Sequence, residues 1–242
     1  MNRIFIFDVD GTLTPSRRTM TPEFEEFFYQ WSKGKKYYLV SGSDLKKMKE
    51  QVGVLYLSRA RGLFCCGGNQ FYDSKENLIY ENKFDVPNNL LTYLGEELRM
   101  SEFPIRAGNH REDRGSMLNF SIVGRDCTQE QRDEYFEWDK KNGERERIAK
   151  HIRDNWKDLD AVIGGQISID IVPKGFDKSQ VLPHIEKLEN PSEIIFLGDR
   201  IEEGGNDYPL AQVLTFKDSP YGYVYKVESW EDTKRFLGEV YG

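Results

Sequence analysis

A doubly wound parallel-sheet α/β core, interrupted by an inserted α+β domain, is the fold this sequence predicts. Three observations carry that expectation. Short apolar runs without polar alternation recur at Arg3 to Phe7, Tyr37 to Val40, Leu63 to Cys65 and Glu193 to Leu197, the pattern of strands buried on both faces. Amphipathic helical patterns separate several of these runs. Between residues 82 and 174 the texture changes to polar loops and charged helices, so the division reads as core 1–81, insert 82–174 and core 175–242.

The elements follow in order. Arg3 to Phe7 is a buried strand that ends at the Gly11 turn. Thr21-Pro22-Glu23 opens a helix whose apolar face is Phe24, Phe27, Phe28 and Trp31, with Gly34 as its stop, before the Tyr37 to Val40 strand. Ser43-Asp44 caps a helix to Val52, and Leu63 to Cys65 forms a third strand before Gly67-Gly68. In the insert, the pattern predicts a strand over Met117 to Val123, helices over 128–140 and 144–157, and a strand over Gln166 to Val172. The core returns after Pro173 with a helix from Ser179 to Leu188, the Glu193 to Leu197 strand, and a last strand and helix within 213–240.

Composition narrows the function. In 242 residues, 41 acidic side chains against 34 basic ones give a formal charge of −7, which repels a polyanion and argues against nucleic acid as the main partner. No apolar run reaches the roughly 20 residues of a membrane span, and none reads as a secretory signal. Cys65, Cys66 and Cys127 are odd in number and two are adjacent, which suits free thiols in a reducing cytoplasm.

The strongest chemical signal is Asp8-Val9-Asp10-Gly11-Thr12-Leu13-Thr14 directly after a buried strand, since ligands bind at the carboxyl ends of parallel strands. A calcium loop does not fit, because the glycine stands at the fourth position of the run and Thr19 takes the place of the closing Glu. Two carboxylates there divide the labour of phosphoryl transfer: one attacks phosphorus, and the other exchanges a proton with a sugar oxygen. Asp199, at the end of another strand, and Asp207, in Gly204-Gly205-Asn206-Asp207, are further oxygen ligands for Mg²⁺. Ser41-Gly42-Ser43-Asp44 opens a helix and can grip a phosphate, and Lys178 can supply compensating positive charge. In Gln166 to Val172, isoleucines alternate with Gln166, Ser168 and Asp170, which sets Ser168 and Asp170 on one strand face. Arg145, Arg147 and Arg153 read as surface ion pairs. Tyr135, Phe136 and Trp138 read either as an association surface or as the insert's own core.

Asp8 to Thr14, Ser41, Lys178 and Gly198-Asp199 resemble, in order, the four motifs of the haloacid dehalogenase superfamily. Ser41-Gly42-Ser43-Asp44, Met117-Leu118-Asn119, Gly124-Arg125, Asp139-Lys140-Lys141, Gly164-Gly165-Gln166-Ile167-Ser168 and Gly204-Gly205-Asn206-Asp207 are similar to the eukaryotic-type phosphomannomutases within it. The resemblance runs from Arg3 to about Phe236. It implies Asp8 as the phosphorylated nucleophile, Asp10 as general acid and base, and Mg²⁺ held by Asp8, the Asp10 main-chain carbonyl and Asp199.

It further implies that the insert is a cap for the phosphate that is not reacting. The matching positions are Arg17 on the core and Arg114, Arg125, Arg132, Ser168 and Asp170 on the cap, with Arg111 as an alternative to Arg114. The expected reaction interconverts mannose 6-phosphate and mannose 1-phosphate with a hexose 1,6-bisphosphate as activator, glucose phosphates being secondary substrates. A sugar-phosphate phosphatase of the same superfamily is the alternative enzyme, and a non-catalytic sugar-phosphate binding protein the alternative outside enzymes. A homodimer through the cap, and closure about joints at 81–84 and 173–176, are also implied. Cys65-Cys66-Gly67-Gly68-Asn69 departs from the family's usual Glu-Asn-Gly.

Overall fold

The computed structural model describes residues 2–216 and 222–242. The chain separates into two compact units, Met1–Glu81 with Gly175–Gly242, and Asn82–Lys174. The first stretch of the core runs β1 (Arg3–Asp8), α1 (Pro22–Trp31), β2 (Lys36–Val40), α2 (Leu45–Val52), α3 (Val54–Arg59), β3 (Gly62–Cys65), β4 (Gln70–Tyr72) and β5 (Leu78–Glu81). The insert follows with α4 (Asn88–Met100), β6 (Arg111–Asp113), β7 (Leu118–Phe120), α5 (Gln129–Asn142), α6 (Glu144–Asn155), β8 (Leu159–Gly164) and β9 (Ser168–Pro173). The chain then returns as α7 (Val181–Glu189), β10 (Glu193–Gly198), α8 (Tyr208–Phe216), β11 (Gly222–Lys226) and α9 (Trp230–Tyr241). The part of the expected 213–240 strand and helix that falls on 217–221 lies outside the described residues.

In the core sheet the order is β11-β10-β1-β2-β3-β4-β5. The pairs from β11 to β3 are parallel, and β4 and β5 extend the edge as antiparallel strands. Both faces of β1 are buried, as its unbroken apolar run requires. Ile4 and Ile6 join Tyr38, Val40, Ile194 and Phe196 under α7 and α8. Phe5 and Phe7 meet Trp31 edge-on at 4.9 and 5.7 Å between ring centres. Helix starts obey local chemistry: the Thr21 hydroxyl accepts the Phe24 N–H, and Asp44 accepts the Lys47 N–H at 2.8 Å.

The insert carries its own four-stranded antiparallel sheet, β6-β7-β9-β8. Ile169 and Ile171 point into a core shared with Leu90, Leu94, Phe120, Tyr135, Ile148 and Ile152. Tyr135 is therefore part of the insert's interior, and Trp138 packs against it. Three expectations need correction. The segment before Met117 is not loop throughout, because α4 buries Leu90, Leu94 and Glu97. The strand expected over Met117 to Val123 stops at Phe120, where the chain turns through Gly124 at φ +94°. Arg145 is no surface pair: it is buried, holding Asp139 at 2.7 Å and donating to the Gly165 carbonyl at 2.9 Å. Arg147 and Arg153 do pair, with Glu97 and Glu146. Among the described residues no helix is long and apolar enough to cross a membrane.

Candidate active site

The parallel register delivers the chemistry to one edge. Residues of β1 lie opposite residues of β10 and β2, so Asp8, the turn after Gly198 and the turn after Val40 all leave the sheet on the same side. Asp8 is buried, and its Oδ1 accepts a hydrogen bond from Lys178 Nζ at 2.5 Å. The same ammonium donates to Asp207 Oδ1 at 2.6 Å. Asp207 is fixed in turn by the Arg200 main-chain N–H at 3.1 Å. Thr12 Oγ1 lies 3.4 Å from Asp8 Oδ2.

Carboxylate oxygens of Asp8, Asp199 and Asp207 lie within 4.8 Å of one another. Burial raises the Asp8 carboxyl well above its usual range, and the Asp207 charge adds to this against the pull of Lys178. Burial and Asp207 likewise push Asp199 up to about 6. Burial alone lowers the affinity of Lys178 for its proton, but Asp207 and Asp8 outweigh it and hold the ammonium charged. These directions share one cause: three carboxylates face one ammonium, and the cluster is short of positive charge. A hard divalent cation with oxygen ligands fits this donor set. Gly11 keeps room for the Asp199 carboxylate, since a Cβ there would stand 2.4 Å from Asp199 Oδ2 at a φ of +81°.

Asp10 is held apart from that cluster. Its Oδ1 accepts the Arg17 main-chain N–H at 2.6 Å and Gln51 Nε2 at 2.8 Å. Arg17 thus meets Asp10 through its backbone, and its residue is exposed. Gln51 was not a sequence candidate: a lone glutamine on a helix carries no signal, and its partner lies 41 residues away. Ser41 is buried, and its Oγ accepts the Ser43 N–H at 3.0 Å. The Cys66 and Gly67 N–H groups donate to the Ser43 and Ser41 carbonyls, so the cysteine segment braces the serine turn. Asn69 continues the brace, donating to the Phe176 carbonyl and accepting from Gln180, on either side of Lys178. Burial pushes the Cys65 thiol well up, which suits packing rather than reactivity.

Arg114 and Arg125 of the insert both reach Glu112 Oε2, at 2.8 and 3.3 Å. Burial lowers the Arg125 proton affinity, Arg114 and Arg132 reinforce the effect, and Glu112 and Asp170 oppose it. These groups therefore form one electrostatic cluster. Asp170 accepts from Asn119 Nδ2 at 2.5 Å. Ser168 shares the strand but spends its hydroxyl on the Gly164 carbonyl at 2.6 Å. Arg111 is exposed and donates to the Leu91 carbonyl at 3.5 Å, whereas Arg114 sits in the cluster. Glu112 and Asn119 were likewise missed as site residues: a strand is expected over Asn119, but what it faces is set by its pairing with Glu112 and Asp170 on strands far apart in sequence.

A family model described as eukaryotic phosphomannomutase matches residues 24–242. A phosphomannomutase of Drosophila melanogaster is 36% identical over 247 residues, covering 98% of this chain and 94% of its own. Another, from Encephalitozoon cuniculi, is 41% identical over 218 residues, with 86% and 83% covered. In three dimensions the chain is similar to a haloacid dehalogenase-like hydrolase from Bacteroides thetaiotaomicron, with a TM-score of 0.63 at 14% identity over 99% of this chain and 100% of that one. That likeness speaks for the fold, a Rossmann-like core with a cap, and the sequence matches speak for the branch. With paired aspartates after β1 and an arginine cluster on the insert, the chain belongs to the eukaryotic phosphomannomutase family.

Proposed function

We propose that the protein interconverts mannose 6-phosphate and mannose 1-phosphate through a phosphoryl group carried on Asp8, primed by a hexose 1,6-bisphosphate, with glucose phosphates as secondary substrates. The observation that carries the reading is Asp8 itself, buried at the strand end with Lys178 on Oδ1 at 2.5 Å. With Oδ1 engaged, Oδ2 is the attacking atom. Its bond to phosphorus forms as the bond from phosphorus to the sugar oxygen breaks, and Asp10 gives that oxygen its proton. In the reverse half, Asp10 takes the proton of the other hydroxyl as that oxygen attacks, and Asp8 is released. The hydrogen bonds of Asp10 Oδ1 leave Oδ2 for this exchange.

Mg²⁺, held by Asp8, Asp199, Asp207 and the Asp10 carbonyl, supplies neutralising charge for the transferring group when bound. Lys178 holds the nucleophile in place and adds its own positive charge. Ser41 and Ser43 contribute to the grip on the reacting phosphate. Arg17, Arg114, Arg125 and Arg132 take the phosphate that is not reacting, with Ser168 and Asp170 beside the sugar hydroxyls; planar guanidinium groups suit bidentate oxyanion contacts. Three free, buried cysteines support a cytoplasmic setting. A cap-to-cap homodimer belongs to the same reading; with Tyr135 committed to the insert's interior, it uses other surface, and a mass measurement in solution decides it.

Mannose 1-phosphate with and without a catalytic amount of bisphosphate tests the proposal. Isomerisation that depends on the bisphosphate and vanishes in Asp8→Asn is the expected result. Release of inorganic phosphate at a matching rate makes the protein a phosphatase, and binding without turnover in Mg²⁺ makes it a binding protein.

A further inference from the structure

Strands β6, β7 and β9 set Glu112 opposite Asn119, and Asn119 opposite Asp170. Residues directly opposed in an antiparallel ladder present their side chains to one face, so the three form a single polar row across the insert's sheet. Glu112 is partly exposed, and one oxygen, Oε2, serves both Arg114 and Arg125. Arg132 adds its charge to the same patch. Three guanidinium groups against the carboxylates of Glu112 and Asp170 leave positive charge in excess. Among the described residues, Arg125 Nη1 and Arg132 Nη1 are buried donors without an acceptor, which marks the side from which oxygens are wanted.

We infer that Glu112 is the internal counter-ion of the phosphate-anchoring arginines: it holds Arg114 and Arg125 in position when no phosphate is present, and it limits how tightly a phosphate is kept. This rests on the reading that the insert anchors the non-reacting phosphate. Three crowded guanidinium groups repel one another, and a carboxylate between two of them keeps both side chains ordered. The same contact means that an arriving phosphate shares Arg114 and Arg125 with Glu112. A mutase benefits from that restraint, because its bisphosphate intermediate must leave the arginines before its other end can meet Asp8. Tight binding of that intermediate lowers the rate without helping the transition state. Glu112 is thus a positioning residue, acting through the arginines and touching no reacting atom.

Glu112→Gln keeps the shape and drops the charge. Titration of mannose 1-phosphate into the full chain carrying Asp8→Asn, which cannot turn over, reads affinity directly. Adding Glu112→Gln is expected to tighten binding by roughly fivefold, the scale of a partly exposed ion pair, while lowering the melting temperature of the ligand-free protein. In the active chain, Glu112→Gln lowers KM and kcat together. A merely structural role gives a lower melting temperature with weaker binding, so the opposite signs separate the two. If Arg125→Ala weakens binding but Glu112→Gln leaves it unchanged or weaker, the counter-ion role is overturned and the anchoring reading stands. If Arg125→Ala also leaves affinity unchanged, both fall.

Discussion

Lys178 donates to Asp8 Oδ1 at 2.5 Å although 170 residues separate them in sequence. The contact fixes the Asp8 carboxylate and supplies positive charge where three carboxylates share one corner. Lys178→Met removes both. Breaking a buried pair by deleting one partner costs about 3–5 kcal/mol, to be read from denaturant unfolding. On the proposed mechanism, the loss of its positive charge is expected to lower kcat by about 100-fold or more. Activity near that of the wild type in Lys178→Met rules out its placement in the machinery.

Metal-free protein should show the strain of the acidic cluster through Asp199. Its carboxyl is pushed from 3.8 up to about 6 in the folded protein. A carboxyl raised by folding favours the fold while protonated; its contribution is complete below 3.8 and is lost as the pH rises through about 6. In a chelator, Asp199→Asn is therefore expected to melt higher than the wild type at neutral pH, with the gap closing toward about pH 4. With Mg²⁺ added, the order reverses, because the wild type gains a ligand that the variant holds poorly. Equal melting temperatures across the whole range contradict the burial of this carboxylate.

Gly11→Ala strikes the same corner from the backbone. Gly11 sits at φ +81°, and its added Cβ would stand 2.4 Å from Asp199 Oδ2. Left-handed backbone costs a non-glycine residue about 1–2 kcal/mol, and Asp199 must move as well. The melting temperature falls, and the Mg²⁺-dependent rise in it shrinks. A variant with the full metal-dependent rise refutes the close approach.

Gln51→Leu tests the support of Asp10. The change deletes the 2.8 Å hydrogen bond to Asp10 Oδ1 and leaves the Arg17 N–H as its remaining fixed donor on the described contacts. A hydrogen bond to a charged group contributes about 1.5–3 kcal/mol, so kcat should drop by about tenfold or more with KM little changed. A rise in KM at constant kcat assigns Gln51 to binding instead.

How much of this was legible in sequence depended on how local the signal was. Strands β1, β2 and β10 were readable because burial on both faces demands an unbroken apolar run, and α1 because Thr21, Pro22 and Trp31 mark its start and buried face. Helix α4 was not: its N-cap is Pro87, with no side-chain cap bond, and its buried face includes Glu97 held by Arg147. Strand β8 interrupts its apolar residues with Asp160. At the site, Asp8 and Asp10 announced themselves through the turn after β1, whereas Gln51, Asn69 and Glu112 matter through partners that only the folded chain supplies. Arg145 was misread for the same reason, since a run of charges on a helix says nothing about what covers one of them.

That burial yields a prediction on stability. Arg145→Met leaves Asp139, 7% exposed, without its guanidinium partner. The expected loss is about 3–5 kcal/mol in denaturant unfolding, against less than about 1 kcal/mol for Lys150→Met on the same helix, whose partner Asp154 is exposed like itself. Equal losses in the two variants return Arg145 to the surface.

The order of strands also constrains how the protein is made. Arg3 finds its neighbour in Glu193, and Asn82–Lys174 is a continuous unit with its own apolar interior. On the ribosome, the inserted unit is therefore complete while the edge of β1 that takes β10 is still unpaired along Ile4 to Phe7, waiting for a strand not yet translated. A nascent chain that stalls after Lys174 holds Asp8 and the arginines but neither Lys178 nor Asp199. Such an unfinished product displays a sticky edge and no working centre, which makes it a client for chaperones and proteases rather than a partial enzyme.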